Sequence, residues 1–217
     1  MRGLAAAALT LALLVAAGGE SGAKQTYCQK TIASQHGKVV WNKHGVTIYR
    51  VPLSGGWRSF NACSDSKRHA SPVFTDVHSN AKPALIQVAA KHCVAAVFTA
   101  PKQLPELALK DLAENNLRYY GLTIGGGNAS AKVGSLGTSS NCAAAWGDSV
   151  TDGSGSTSYH VRAVGFGKGT SLSHDAVTDV ATVQAAADTK HVGITSAGKR
   201  VKVTWTEAGA AKQATLP

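Results

Sequence analysis

Acidic residues are scarce in this chain, with 12 Asp and Glu against 22 Lys and Arg and a formal net charge of +10. So few carboxylates leave no clearly facing pair for the paired-acid chemistry of glycoside cleavage. Aromatics are few as well, at 6% of residues. The basic residues come singly or in twos, as in Lys67-Arg68 and Lys199-Arg200, and never as a block interleaved with stacking rings. That dispersal argues against a nucleic-acid binder, which gathers its charge on one face. It fits mild attraction to anionic polymers outside the cell. No C-x-x-C and no Cys/His pattern at metal-ligand spacing occurs, so the linear sequence announces no zinc site. Proline is also rare, and no Pro-rich or charged linker divides residues 24–217, which read as one domain.

Long apolar runs are missing apart from Leu4 to Ala17, which follows the basic Met1-Arg2 and precedes Gly18-Gly19-Glu20-Ser21-Gly22. That run is short of the roughly 20 residues a membrane helix needs. Residues 1–23 read as a secretory signal peptide, cut after Ala23 or after Ala17, with a retained anchor as the alternative. A secreted or extracytoplasmic location follows. The small-residue composition and short signal look bacterial, so the sequon Asn128-Ala129-Ser130 reads as accidental.

All four cysteines, Cys28, Cys63, Cys93 and Cys142, lie beyond that signal. An even count in an oxidising compartment argues for disulfides. Three pairings are possible, and sequential pairing is favoured, Cys28 with Cys63 and Cys93 with Cys142. The last two hold the same place in successive repeats, where neighbouring units can face each other. Buried free thiols are the alternative for that pair.

What the chain does have is a phrase said four times. A short strand ends on a large aromatic, a polar turn follows, and a second strand completes the unit. The copies are Gly37 to Trp41 with Gly45 to Tyr49, His92 to Phe98 with Leu107 to Leu109, Asn141 to Trp146 with Tyr159 to Val164, and Lys199 to Trp205 with Gln213 to Leu216. The anchors Trp41, Phe98, Trp146 and Trp205 recur at intervals of 57, 48 and 59 residues. Such a period marks stacked or radially arranged units. A small-residue stretch with an apolar anchor precedes each copy: Ile32-Ala33-Ser34, Val88-Ala89-Ala90, Leu136-Gly137-Thr138 and Ile194-Thr195-Ser196.

Strand signals dominate elsewhere too. Val46 to Val51 and Val201 to Trp205 alternate at period two. Asn42 to Gly45 and Glu207 to Ala210 have hairpin length. Further strands are expected at Trp57 to Phe60, Leu85 to Val88, Leu117 to Ile124 and Val177 to Val183. Leu104 to Leu117 carries a weak helical period, but the repeat register assigns a strand there. Ser64 to Pro72 and Gly147 to Ser156 read as connections.

The search for chemistry returns little. Gly125-Gly126-Gly127-Asn128 lacks the Lys-Ser/Thr of a phosphate loop and reads as a turn. Asp148-x-x-x-Asp152-Gly153-Ser154-Gly155 lacks the closing Glu of a calcium loop and reads as a solvated hairpin tip. Asp76-Val77-His78 sets an acid and a base on one side of an extended segment, without a nucleophile elbow. His36, His44, His69, His174 and His191 fall in turns, His92 borders a strand and His160 lies within one. The aromatic anchors fit a core that packs neighbouring sheets better than a sugar-binding surface.

The run Ile32 to Trp41 into Gly45 to Gly56, a turn, a Gly-led strand, an aromatic strand and a Gly-rich close, resembles a TolB-like β-propeller blade. The whole chain is also similar to a group of secreted bacterial proteins that carry an early Cys, an aromatic strand leading to a second Cys, and a Trp-Thr strand near the end. Trp57 to Cys63 and Val203 to Leu216 carry that likeness here. The acidic turn usual before the Gly-led strand is absent at Gln35-His36-Gly37, Lys91-His92-Cys93, Ser140-Asn141-Cys142 and Ala197-Gly198-Lys199. Four units are also fewer than such proteins generally have, so ring closure is not implied.

The expected fold is all-β, with four antiparallel sheet repeats in a propeller-like arrangement and a two-sheet sandwich as runner-up. The expected function is a secreted, non-catalytic binding protein presenting loops to an extracellular protein or an anionic cell-surface polysaccharide. No cofactor, metal or nucleic acid is called for. The alternative is a secreted hydrolase or lyase acting on an anionic polymer.

Overall fold

The computed structural model describes residues 24–76, 81–100, 104–121, 130–173 and 175–217. The signal segment, His78, His174 and the Gly125 to Asn128 run lie outside the described residues.

Among the described residues, fifteen strands form four antiparallel sheets. The first holds β1 (Lys38–Lys43), β2 (Val46–Pro52), β3 (Arg58–Ser64) and β4 (His69–Asp76). The second holds β5 (Lys82–Ala89), β6 (Cys93–Thr99), β7 (Glu106–Asp111) and β8 (Asn116–Gly121). The third holds β9 (Ser130–Thr138), β10 (Ala143–Thr151), β11 (Thr157–Gly165) and β12 (Thr178–Val183). The fourth holds β13 (Gly193–Ala197), β14 (Arg200–Glu207) and β15 (Ala210–Leu216). Within each sheet every strand pairs with its neighbour in sequence, which makes each a meander of the kind that builds a propeller blade.

Tight turns set the registers. His44-Gly45 and Ala208-Gly209 all have positive φ, as a type I′ hairpin requires. β7 confirms the strand reading of Leu107 to Asp111. Two expected connections are shorter than read: β4 starts at His69, and β10 runs on to Thr151 before its turn. Both segments are polar on one face, and that alternation belongs to half-buried strands rather than to loops.

The sheets pack face to face in chain order, and this replaces the two-sheet sandwich. Val46, Ile48 and Phe60 of the first sheet meet Val94, Ala96 and Phe98 of the second. Cys93, Ala95, Val97, Leu107 and Leu109 meet Trp146, Ala144 and Val164 of the third. Ala143, Ala145, Val161 and Ala163 meet Val201, Val203 and Trp205 of the fourth. Successive residues of β6 therefore enter different cores, which is why Cys93 to Phe98 is apolar without alternation. The arrangement is propeller-like, with β9 lying beside both β5 and β13. Among the described residues, no core joins the fourth sheet back to the first.

A helix, α1 (Tyr27–Ser34), covers the outer face of the first sheet, where the repeat register had placed only a small-residue stretch. Its start is a capping box: Thr26 Oγ1 accepts from the Gln29 amide at 3.3 Å, and Gln29 Oε1 accepts from the Thr26 amide at 2.9 Å. Thr-x-x-Gln at positions 26 to 29 is a sequence signature of that motif, and it was there to be read. Helix and sheet are joined by the Cys28–Cys63 disulfide (Cα–Cα 5.6 Å).

The structure also shifts the first repeat by one strand. Phe98, Trp146 and Trp205 lie on the second strands β6, β10 and β14, and each points back at the preceding sheet. Trp41 lies on the edge strand β1, half-buried against the following sheet. The matching position in the first sheet is Tyr49 on β2, fully buried and facing α1. The helix stands where a preceding sheet would be, and the Tyr49 hydroxyl donates to Gln35 Oε1 at 2.9 Å.

Candidate functional site

The third sheet carries charged side chains where its core gives out. On β10, Trp146 and Asp148 sit two residues apart on the face turned toward the second sheet. The β10–β11 register sets Arg162 opposite Trp146 and His160 opposite Asp148. The β11–β12 register then sets Asp179 opposite Arg162.

Arg162 Nη1 donates to Asp148 Oδ2 at 3.1 Å, and Nε donates to Asp179 Oδ1 at 2.8 Å. Trp146 Nε1 donates to the same Asp148 Oδ2 at 2.9 Å. Asp148 and Arg162 are buried, at 0% and 3% exposure, while the Asp179 side chain is 61% exposed. Burial pushes the Asp148 carboxyl above its usual range, against the opposing pull of Arg162 and of the Trp146 hydrogen bond. His160 exchanges a hydrogen bond with the Ser158 hydroxyl at 2.8 Å.

Asp148 Oδ1, His160 Nδ1 and Arg162 Nη2 are buried without a hydrogen-bond partner among the described residues. Such atoms cost free energy unless a water or ligand satisfies them. His160 and Arg162, though not Asp148, also line a cleft of about 550 Å³, together with Asp152, Ser156, Ser158 and Asp179, among others. Its rim is the β10–β11 hairpin. There Asp152 Oδ1 accepts from the Ser154 amide, the Ser154 hydroxyl and the Ser156 amide at 2.9, 2.6 and 3.0 Å. The Ser154 hydroxyl holds the Asp152 carboxyl below its usual range. The Asp148 to Gly155 segment is thus a buried strand acid followed by a self-satisfied turn, and its two carboxylates have separate partners.

The other residues singled out from the sequence fall elsewhere. Phe98, Trp146 and Trp205 are buried between sheets. Cys93 and Cys142 form a disulfide that bridges the second and third sheets (Cα–Cα 5.2 Å). His36 and His44 occupy turns at positive φ, and His69 opens β4. His78 of the Asp76–His78 pair lies outside the described residues. Sequence reasoning missed Arg162 and Asp179 altogether. The signal that could have found Arg162 is the alternation Trp146, Asp148 and Ser158, His160, Arg162 on either side of one hairpin, whereas Asp179 joins only through the β11–β12 register.

No family model matches the chain, and no curated protein matches it in sequence. Among solved structures it is similar to TolB from Acinetobacter baumannii, with 11% identity and a TM-score of 0.26. That overlap covers 80% of this chain and 51% of TolB, so the chain spans about half the length of that protein.

Proposed function

We propose that the chain is a secreted, non-catalytic binding protein that takes an anionic cell-surface polysaccharide at the β10–β11 cleft. The observation that carries this reading is the pair of unmet polar atoms on residues that line the cleft. Arg162 Nη2 is a donor, and His160 Nδ1 is a donor or an acceptor by tautomer. A hydroxyl group both donates and accepts, so a hydroxyl-rich ligand meets this mixture better than a purely anionic one. Ser156, Thr157 and Ser158 add hydroxyls along the wall. The net charge of +10 supplies long-range attraction to an acidic polymer, while the cleft reads its hydroxyls.

Two disulfides fit an oxidising, extracytoplasmic compartment. Among the described residues, no helix is long and apolar enough to cross a membrane. The reading invokes no cofactor.

One observation favours the second reading, a hydrolase or lyase acting on the same polymer. A carboxyl raised by burial beside a histidine is a known setting for acid chemistry.

A glycan array probed with the secreted protein tests both. The expected result is retention on acidic polysaccharides, lost in Asp179→Ala combined with Ser158→Ala, with the polymer recovered at unchanged length. Retention that ignores those substitutions sinks the cleft. Capture of a protein alone points to the other partner class. Shortening of the polymer, abolished in Asp148→Asn, replaces binding with catalysis.

A further inference from the structure

Where the second and third sheets meet at one end, the fold brings His92, Cys93 and Cys142 together, with Asp111 beside His92. His92 precedes β6, Cys93 opens it, Asp111 closes β7 and Cys142 precedes β10. His92 Nδ1 stands 3.4 Å from Cys93 Sγ, 3.6 Å from Cys142 Sγ and 3.0 Å from Asp111 Oδ1. The nitrogen and both sulfurs lie within 4.8 Å of one another. Cys93, Cys142 and Asp111 are buried, and the His92 side chain is 17% exposed at the mouth of the group.

The distances from His92 Nδ1 are those of a tetrahedral site, while the two sulfurs are bonded to each other and must part before a cation can enter. With Zn–S about 2.3 Å and Zn–N about 2.0–2.1 Å, the nitrogen-to-sulfur edge of a tetrahedron is ~3.5 Å, and the nitrogen-to-oxygen edge is ~3.3 Å. The two observed nitrogen–sulfur separations straddle the first value. Backbone geometry is arranged for the same approach. Cys142 has φ of 54°, which turns its side chain in ahead of β10. Gly167 covers the group, and a Cβ there would stand 2.5 Å from Cys142 Cβ and 2.9 Å from Asp111 Oδ2. Only a residue without a side chain lets the second and third sheets close over these ligands.

We propose that Cys93, Cys142, His92 and Asp111 form a redox-gated site for a tetrahedral divalent cation of the zinc class, masked by the disulfide when oxidised and open when reduced. A dithiol reductant opens it. Its two thiols become one disulfide, the Cys93–Cys142 sulfur–sulfur bond breaks, and two electrons and two protons pass to the cysteine sulfurs. The cation then displaces both thiol protons to solvent, giving two thiolate ligands. The imidazole carries its proton on Nε2, which frees Nδ1 to ligate in place of its hydrogen bond to Asp111. Asp111 Oδ1, held by the Ala113 amide at 2.8 Å, moves toward the sulfurs to complete the set, since the nitrogen and the two sulfurs are the atoms already within mutual reach. Among the described residues the Cys28–Cys63 sulfurs belong to no such group of ligands, although the Asp65 carboxylate accepts from the Cys28 amide.

The test uses the full chain, oxidised or reduced with a phosphine that does not compete for metal, titrated with Co²⁺ and followed by absorption and circular dichroism. The reduced protein is expected to bind one Co²⁺ with thiolate-to-cobalt charge-transfer absorption, bleached by Zn²⁺, while the oxidised protein shows none. Cys142→Ser abolishes the band, the Cys28→Ser, Cys63→Ser double variant keeps it, and Asp111→Asn weakens Co²⁺ affinity by about 10–100-fold. A reduced chain that loses its β-sheet signal but regains it only with Zn²⁺ also supports the site, because metal binding would then drive folding. A folded, reduced chain without the band overturns the proposal. So does a band that survives Cys142→Ser, or a reduced chain that stays unfolded in the metal's presence.

Discussion

Arg162 and Asp148 form an ion pair across the β10–β11 hairpin, 3.1 Å apart and almost wholly out of solvent. Removing both charges from water is costly, and the pair recovers that cost only through its geometry and the hydrogen bonds around it. Trp146 Nε1 supplies one such bond, and Asp179 supplies the second partner of the guanidinium.

Breaking the pair from one side strands a charge. Arg162→Met should therefore cost about 3–5 kcal/mol. Adding Asp148→Leu to it should recover much of the loss, because the orphaned carboxylate goes too. Urea denaturation of the single and double variants checks this. A double variant less stable than the single one would refute it.

Tyr49 should give the fold an alkaline dependence. Burial against α1 pushes its phenol from 10.0 up to about 12. In that interval the unfolded chain has released the proton and the folded chain still holds it, so unfolding is favoured as pH rises. The stability tied to this group is thus complete below pH 10 and lost toward about 12. Tyr49→Phe should flatten the slope of the denaturation midpoint over that window. An unchanged slope would mean that other groups set it.

The Cys28–Cys63 disulfide fastens a helix that has few other ties. Replacing both cysteines with serine should lower stability by roughly 2–4 kcal/mol. Amide exchange should accelerate in Tyr27–Ser34 far more than in β6 or β10. Equal acceleration in all three would show that the helix is part of the central core rather than a cover.

Trp146 and Trp41 should part company on substitution. Trp146→Ala empties a fully buried site and should cost about 3–5 kcal/mol. Trp41→Ala, on an edge strand and half-buried, should cost clearly less. Thermal melts of the two variants decide the matter, and matching losses would restore Trp41 to the anchor series.

Much of the architecture was legible because strands report burial directly. Val201 to Trp205 alternates, so one face is buried. Cys93 to Phe98 does not alternate, and β6 does enter two cores. The repeat was visible through its aromatics, but their size alone could not tell a second strand from a first. Trp41 therefore stood in for Tyr49. The helix was missed because its last residues, Ile32-Ala33-Ser34, were read as the small-residue stretch of a repeat and its capping box went unread. The cleft was not legible, since Asp148, Arg162 and Asp179 become neighbours only through two strand registers.

The sequence by itself determined the all-β class, the number of sheet units and the strands that carry their cores. These depend on local alternation and on turn residues such as His44-Gly45, and both are properties of adjacent positions. Tertiary structure alone decided which side chains share a site. His92 and Cys142 are fifty residues apart in sequence and 3.6 Å apart in space. The matching places of Cys93 and Cys142 in successive repeats encode the meeting of the two sulfurs; that Asp111 joins them at His92 follows from the second and third sheets closing on a common core.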